Sequence, residues 1–170
     1  MDMKQELEQQ LVEKYPTLFR DYGKSPQESC MAFGVEFGDG WYNIFADLCD
    51  YLDKLADHED VYKLKDEFKT EENRGYIVIK RPTIHFDQVK EKFGTMRVYW
   101  SMDEGVSDET YNEIHPKERD NIFKFYEEIE GAIRYVEFLS SRTCEVCGKP
   151  GKLETKGWYK VRCTDRFCGK

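Results

Sequence analysis

Apolar residues recur at steps of three and four in three parts of the chain, the pattern of helices that bury one face. The pattern predicts a short helix over residues 3–14, a helix that begins at Trp41, and a long helix that begins near Pro116. Asp39 stands where an N-cap is expected for the second helix. Proline is favoured in the first turn of a helix, which suits the start of the third.

Alternation of apolar and polar residues, or a short apolar run, predicts strands. The predicted strands are 31–37, 76–81, 83–87 and 95–101. Between them, we expect a single helical turn over 87–93, closed by Gly94, and an acidic loop over 103–112. The charged stretch 57–73 fits either a solvated helix around 61–68 or a linker. Elements in this order predict an α+β fold, in which helices pack on one face of a small, mostly antiparallel sheet.

Four cysteines in two pairs lie in the last part of the chain. Cys144 and Cys147 are separated by two residues, and Cys163 and Cys168 by four. The stretch 153–162 between the pairs has the pattern of a β-hairpin, which would bring the second pair back to the first. We therefore divide the chain into an α+β body, residues 1–141, and a zinc-ribbon-like tail, residues 142–170.

The spacing of these four thiols is typical of a structural zinc site. Zinc takes four ligands in a tetrahedron, and two short-range cysteine pairs on either side of a hairpin supply them. A tail this short buries too little apolar surface to fold alone, so metal binding would supply the missing free energy. Four thiolates leave no position for water, which argues against catalytic zinc. We expect metal removal to disorder the tail and to leave the body folded.

Other interpretations of the thiols stay open. The first pair could be a redox dithiol, although no thioredoxin-type strand-to-helix motif surrounds it. The second pair could be unpaired thiols in a frayed terminus. The four-residue gap in this pair is longer than the usual two, so Cys30 or Cys49 could replace Cys168 as the fourth ligand.

Charge is unevenly distributed along the chain. The 170 residues carry a net charge of −8, yet residues 142–170 hold eight Lys/Arg against three Asp/Glu, which leaves −13 for residues 1–141. An acidic body repels nucleic acid and anionic membranes. The N-terminus has no apolar signal segment, and no apolar run is long enough to cross a bilayer. These features predict a cytoplasmic protein with reduced thiols and no membrane association.

The tail also carries a candidate contact surface for a partner. Trp158 lies among Lys156, Lys160 and Arg162. Aromatic and basic residues in this combination bind nucleic acid by stacking on bases and neutralising phosphates. The simpler interpretation is that Trp158 covers the metal site while the basic side chains keep the hairpin solvated.

A second polar grouping lies in the body. Thr83, His85 and Asp87 share the polar face of one predicted strand, and Arg97 and Tyr99 share that of another. If the two strands pair, the cluster could bind an anion or transfer a proton. The same alternation is that of the solvated side of an ordinary sheet.

Several strings resemble a set of small, uncharacterised bacterial and phage proteins. They are Gly-Asp-Gly-Trp at 38–41, Gln-Val-Lys-Glu-Lys-Phe-Gly-Thr at 88–95, and Arg-Thr-Cys-Glu-x-Cys-Gly-Lys-Pro-Gly at 142–151. The resemblance extends over most of the chain except 57–73, which looks like an insertion. It implies a cytosolic protein of bacterial or phage origin, and it assigns no activity. In the set the second cysteine pair has a two-residue gap, from which Cys163 and Cys168 depart.

Three functions are compatible with these patterns. The favoured one is a non-enzymatic zinc-binding interaction protein with a protein partner. In its sharper form it is a phage protein that inhibits a nucleic-acid-binding or defence enzyme of the host, its acidic body occupying a basic groove. The second is a nucleic-acid-binding protein that uses the basic tail. The third is a small enzyme that uses His85, Asp87 and Arg97.

Overall fold

The fold is that of a computed structural model of the chain, described here for residues 2–168. The α-helices are α1 (Gln5–Lys14), α2 (Tyr42–Ala56), α3 (Asp108–Glu113) and α4 (Arg119–Ser140). The strands are β1 (Val35–Glu36), β2 (Glu59–Lys63), β3 (Tyr76–Lys80), β4 (Ile84–Lys92), β5 (Thr95–Met102), β6 (Lys152–Glu154) and β7 (Lys160–Arg162). No helix among residues 2–168 has the length and apolar character that crossing a bilayer requires.

Within residues 2–168, the strands form three small sheets. The central sheet has the order β1-β4-β5, with β1 parallel to β4 and β4 antiparallel to β5. Strands β2 and β3 form one antiparallel hairpin, and β6 and β7 form another within the tail. The predicted α+β class with mostly antiparallel sheets is confirmed.

The core lies between the central sheet and helices α2 and α4. Aromatic side chains dominate it: the ring of Phe45 lies 5.4 Å from that of Phe37 and 5.4 Å from that of Phe86. All three are fully buried, as is Trp41 at the start of α2. Burial of each such side chain stabilises the fold by about 1.5–3 kcal/mol, so this cluster holds the elements that carry the tail.

Two strand predictions were wrong in detail. Residues 31–33 belong to a 3₁₀ helix, Cys30–Phe33, because the Ser29 hydroxyl accepts a hydrogen bond from the backbone N–H of Met31. Only Val35 and Glu36 pair as a strand. Residues 87–92 continue β4 instead of forming a helical turn. A bulge between Phe86 and Gln88 shifts the alternation of apolar and polar residues, so the sequence pattern of the strand is interrupted there.

The charged and acidic stretches also contain regular structure. Neither the helix around 61–68 nor the linker, the two alternatives for 57–73, is what forms: Glu59–Lys63 is a strand and Asp66–Phe68 is a short 3₁₀ turn. The acidic loop contains α3, whose first turn is capped by Ser107. Asp39 does not cap α2; its carboxylate accepts from the backbone N–H of Lys4 at 2.8 Å.

The turn between β4 and β5 carries a bulky residue in an unfavourable backbone conformation. Phe93 has φ +54° and Gly94 has φ +76°. Both central residues of this two-residue turn are therefore left-handed, as in a type I′ turn, where asparagine followed by glycine is preferred. The left-handed conformation costs a residue with a β-carbon about 1–2 kcal/mol.

We expect Phe93→Asn to stabilise the protein by about 0.5–1 kcal/mol, because asparagine tolerates the left-handed region. Chemical denaturation should show the gain as a higher midpoint with an unchanged slope. A fall in stability would mean that the contacts of the Phe93 ring outweigh the backbone strain.

Candidate metal centre

The four tail cysteines converge on one point. One Sγ atom from each of Cys144, Cys147, Cys163 and Cys168 lies within 4.8 Å of all the others. The Sγ atoms of Cys144 and Cys168 are 3.5 Å apart, as are those of Cys147 and Cys163. Zn–S bonds of 2.3 Å in a tetrahedron place sulfur atoms about 3.8 Å apart. The thiol positions therefore fit a single tetrahedral ion.

The first pair sits on a tight turn. The carbonyl of Cys144 accepts a hydrogen bond from the backbone N–H of Gly148 at 2.9 Å, and the N–H of Cys144 donates to the carbonyl of Lys149 at 2.8 Å. Gly148 has φ +74°, a conformation that a residue with a β-carbon adopts only with strain. We call residues 144–148, which form this turn, the knuckle.

The β6–β7 hairpin returns the chain to the knuckle, as predicted. Val161, opposite Leu153 in the hairpin register, is fully buried, and its carbonyl accepts from the N–H of Glu145. The segment that follows is held by an ion pair of 2.5 Å between Lys149 and Asp165. The Lys149 ammonium lowers the pKa of the Asp165 carboxyl. This segment positions Cys168 beside Cys144.

The pKa values of two of the thiols, Cys144 and Cys168, are shifted in opposite directions within the cluster. Burial alone would raise the pKa of Cys144, but hydrogen bonds from backbone N–H groups, including those of Val146, Cys147 and Cys163, lower it to about 6. Contact with the Cys147 thiol, together with burial, raises the pKa of Cys168 well above its usual range. Several thiolates at this spacing repel one another, so a cation is needed to hold them together in the deprotonated form.

The knuckle is fixed to the body by the Gly-Asp-Gly-Trp segment. The N–H of Gly40 donates to the carbonyl of Glu145 at 2.8 Å, and the indole N–H of Trp41 donates to the carbonyl of Thr143 at 2.7 Å. The carboxylate of Glu145 accepts from the N–H of Gly38 at 3.3 Å. The tail therefore attaches through the buried start of α2.

Both glycines of that segment are required by the close approach of the two backbones. A β-carbon on Gly38 would lie 2.6 Å from the carbonyl oxygen of Glu145. One on Gly40 would collide with the carbonyl oxygen of Cys144 and lie 2.6 Å from the backbone of both Glu145 and Gly148. From the sequence, this segment was interpreted as the start of a helix capped by Asp39 and as part of the resemblance, with no role in holding the tail. Its two glycines around a buried tryptophan were the available signal.

The predicted contact residues of the tail divide into two groups. Trp158 is 82% exposed, so it does not cover the metal site, and Lys156 is also exposed. Lys160 is half-buried and pairs with Glu154 at 3.5 Å. Arg162 is directed inward, where its guanidinium donates to the buried Glu145 carboxylate at 3.3 Å. Arg162 thus supports the knuckle.

The two other cysteines lie outside the cluster of four. Cys49 is fully buried on α2, and burial raises the pKa of its thiol. Cys30 is exposed at the start of the 3₁₀ helix. Neither takes the place of Cys168.

The predicted polar cluster on the central sheet forms only in part. His85 is buried, with its Nε2 3.7 Å from the Asp87 carboxylate and 3.1 Å from the guanidinium of Arg20. Arg97 lies on β5, opposite Lys90 of β4. The residue of β5 that lies opposite His85 is four positions away from Arg97, or about 13 Å along the strand. Its guanidinium lies 3.9 Å from Glu137. The group near His85 therefore contains Arg20 in place of Arg97.

A separate cleft of about 710 Å³ lies where β3 and the end of β5 face the first turns of α4. Its lining is mostly aromatic and apolar, and includes Tyr111, Phe123 and Tyr126. The charged residues in it include Arg81, which forms a two-point ion pair with Asp60 at 2.7 and 3.0 Å. None of the tail cysteines and no residue of the His85 group lines this cleft.

Comparisons with known proteins found no match to a protein-family model, to a curated protein or to a solved structure. The resemblance to small bacterial and phage proteins therefore stays a prediction.

Proposed function

We propose that the protein is a zinc-binding interaction protein, in which one structural zinc ion holds the tail as a rigid docking element. The observation that carries the proposal is the convergence of four thiols within 4.8 Å on an otherwise small hairpin. Softer metals also bind thiolates, but a tetrahedral set of four sulfurs is the common structural site for zinc.

A binding role is favoured over catalysis by the composition of the site. Four protein thiolates fill the coordination sphere of zinc, so no position is left for a reacting water or substrate. The other candidate for catalysis, the group around His85, contains Arg20 in place of Arg97, and none of its residues lines the cleft of about 710 Å³. A non-enzymatic role is therefore the simpler proposal.

The attachment of the tail supports docking over flexible tethering. Three hydrogen bonds join the knuckle region to Gly38, Gly40 and Trp41, and the glycine contacts leave no room for sliding. A surface held in this way loses little conformational entropy when a partner binds.

Our proposal for the localisation is the cytoplasm, where thiols stay reduced and available for metal. The inhibitor form of the proposal rests on charge alone: residues 1–141 carry −13. An acidic body of this kind suits a protein partner with a basic groove, such as a host nucleic-acid-binding or defence enzyme, and a phage origin would explain such a target.

The proposal predicts one zinc ion per chain in protein purified without added metal. Elemental analysis should find a ratio near one for the intact protein and for Cys30→Ser, and a ratio near zero for Cys168→Ser. Because Cys30 is exposed and outside the cluster, it is the matched control. Full zinc content in Cys168→Ser would show that Cys168 is not a zinc ligand.

Partner capture tests the docking role separately. Immobilised intact protein and its Cys168→Ser variant are incubated with host lysate, and the bound proteins are compared. A partner retained by the intact protein and by Cys30→Ser, but lost with Cys168→Ser, supports docking through the tail. Equal retention by all three proteins would assign the contact to the body.

A further inference from the structure

The turn between β4 and β5 and the turn of the tail hairpin bring exposed aromatic rings together. Phe93 is 67% exposed, Trp158 is 82% exposed and Tyr159 is 43% exposed. Together with Glu91, Lys92 and Gly157 they line a cleft of about 460 Å³. We call this set the aromatic platform. Large aromatic side chains exposed as a group mark a binding surface far more often than single exposed ones do.

Packing fixes the two turns relative to each other. A β-carbon on Gly94 would collide with the side chain of Leu153 and lie 3.1 Å from the backbone nitrogen of Lys160. The body turn thus lies directly on the tail hairpin. Phe93 and Trp158 therefore keep a defined separation, which loose surface rings would not.

Backbone strain at Phe93 has no explanation in the fold. Its φ of +54° is unfavourable for a phenylalanine, and its side chain gains little burial in return. Strain kept at an exposed residue points to a role for the side chain in binding.

The charges around the platform favour an anionic ligand. Among residues 2–168, no carboxylate lies within ion-pair distance of Lys92 or Lys156, whereas the Lys92 ammonium lies 5.5 Å from the ring of Phe93. Lys160 adds a third positive charge, partly balanced by Glu154. Glu91 also lines the cleft, and its carboxylate accepts a hydrogen bond from the backbone N–H of Gly94. These lysines stand out on a chain whose net charge is −8.

We propose that the platform binds single-stranded nucleic acid, with bases stacked on Phe93 and Trp158 and phosphates near Lys92 and Lys156. This proposal gives the tail surface a nucleic-acid ligand in addition to the protein partner of the proposed function, and it rests on the metal-held tail of that function. Aromatic rings stack on bases only where the bases are unpaired and accessible, which excludes an intact duplex. The acidic body adds repulsion for a long duplex, so a short single strand is the ligand that the surface fits.

The test uses the full chain, loaded with zinc, and fluorescein-labelled single strands of ten deoxyuridines or ten uridines. Fluorescence anisotropy should show binding of one or both strands and much weaker binding of a ten-base-pair duplex. Binding to both strands indicates recognition of bases and phosphates alone; a preference for uridine indicates a contact to the 2′-hydroxyl. Because about three lysines are involved, log Kd should rise with log salt with a slope of about 2.

Tryptophan fluorescence reports the contact directly. Trp41 is fully buried and Trp100 donates to Glu130, so Trp158 is the exposed indole of the three. Unlabelled strand should quench its emission. Trp158→Phe should abolish the quenching while retaining most of the affinity, since phenylalanine also stacks.

Substitutions with matched controls localise the site. Phe93→Asn and Trp158→Ala should each weaken binding about tenfold, and Lys156→Ala should lower the salt slope by about 0.7. Tyr135→Ala, on an aromatic of α4 that is 60% exposed, and Lys63→Ala, on an exposed lysine of β2, should leave Kd unchanged.

Zinc content is measured in the same samples, so the two proposals fail separately. A protein with one zinc per chain that binds neither strand overturns the platform proposal alone. Equal affinity for single strand and duplex, or binding that Phe93→Asn and Trp158→Ala leave intact, overturns it as well. Absence of zinc from the protein would overturn the proposed function first.

Discussion

Replacement of Cys144 by serine is expected to destabilise the protein by more than about 4 kcal/mol, the range associated with loss of a structural metal. Loss of one ligand leaves three thiols and a weak site, and the ion is released. The sequence alone suggested that the body would be unaffected, but the effect should extend to the body, because the carbonyls of Glu145 and Thr143 accept hydrogen bonds from the N–H groups of Gly40 and Trp41. Thermal unfolding followed by circular dichroism measures the change.

Cys30→Ser is the control for this substitution, since it also replaces a thiol by a hydroxyl but at an exposed position outside the cluster. Its free energy of unfolding should lie within about 0.5 kcal/mol of that of the intact protein, as is usual for surface substitutions. If Cys144→Ser unfolds at the same temperature as Cys30→Ser, the thiol cluster does not stabilise the fold.

Gly40→Ala is expected to cost about 3 kcal/mol and to weaken metal retention, although residue 40 offers no ligand. The added methyl group would meet backbone atoms of Cys144, Glu145 and Gly148, none of which moves without distorting the knuckle. Denaturation together with the rate of zinc transfer to a chelator measures both effects. Faster zinc release than in the intact protein is the result that assigns this glycine to the metal site.

A second glycine-to-alanine change is the matched control for that result. Gly131 lies inside α4, and a β-carbon there meets no atom within 4 Å. Gly131→Ala should raise stability by about 0.5–1 kcal/mol, because alanine is the better helix former, and should leave zinc transfer unchanged. If both variants behave alike, contact with the knuckle is not the cause of the effect at Gly40.

Helices and the cysteine pairs were predictable because their signals are local. The apolar stripe of α4 and the spacing of Cys144 and Cys147 are each readable within a few turns of sequence. The tail hairpin followed from the same kind of pattern. By contrast, Cys168 reaches the cluster through a turn in which its N–H donates to the carbonyl of Asp165, whose side chain pairs with Lys149, and spacing alone does not reveal these contacts.

Elements that depend on distant partners were mispredicted or missed. The bulge in β4 shifted the alternation, so the second half of that strand looked like a helical turn. The docking of the knuckle joins Gly40 to Glu145 across more than a hundred residues, and no local pattern encodes that contact. Arg162 was placed at a partner surface because its buried partner, Glu145, could not be known from sequence.

The contrast between local signals and distant contacts also explains why the polar cluster was predicted only in part. Alternation placed His85 and Arg97 on polar faces of neighbouring strands, but the register sets them four residues apart. Arg20, from the loop after α1, reaches His85 instead. Register and loop packing are tertiary properties, and they decide which side chains meet.

X-ray absorption at the zinc edge on the intact protein tests the central claim most directly. We predict a first shell of four sulfur atoms at about 2.3 Å with no nitrogen or oxygen neighbours. A shell that contains water or carboxylate oxygen, or protein that holds no zinc to measure, would contradict a closed four-thiolate site and the docking role built on it.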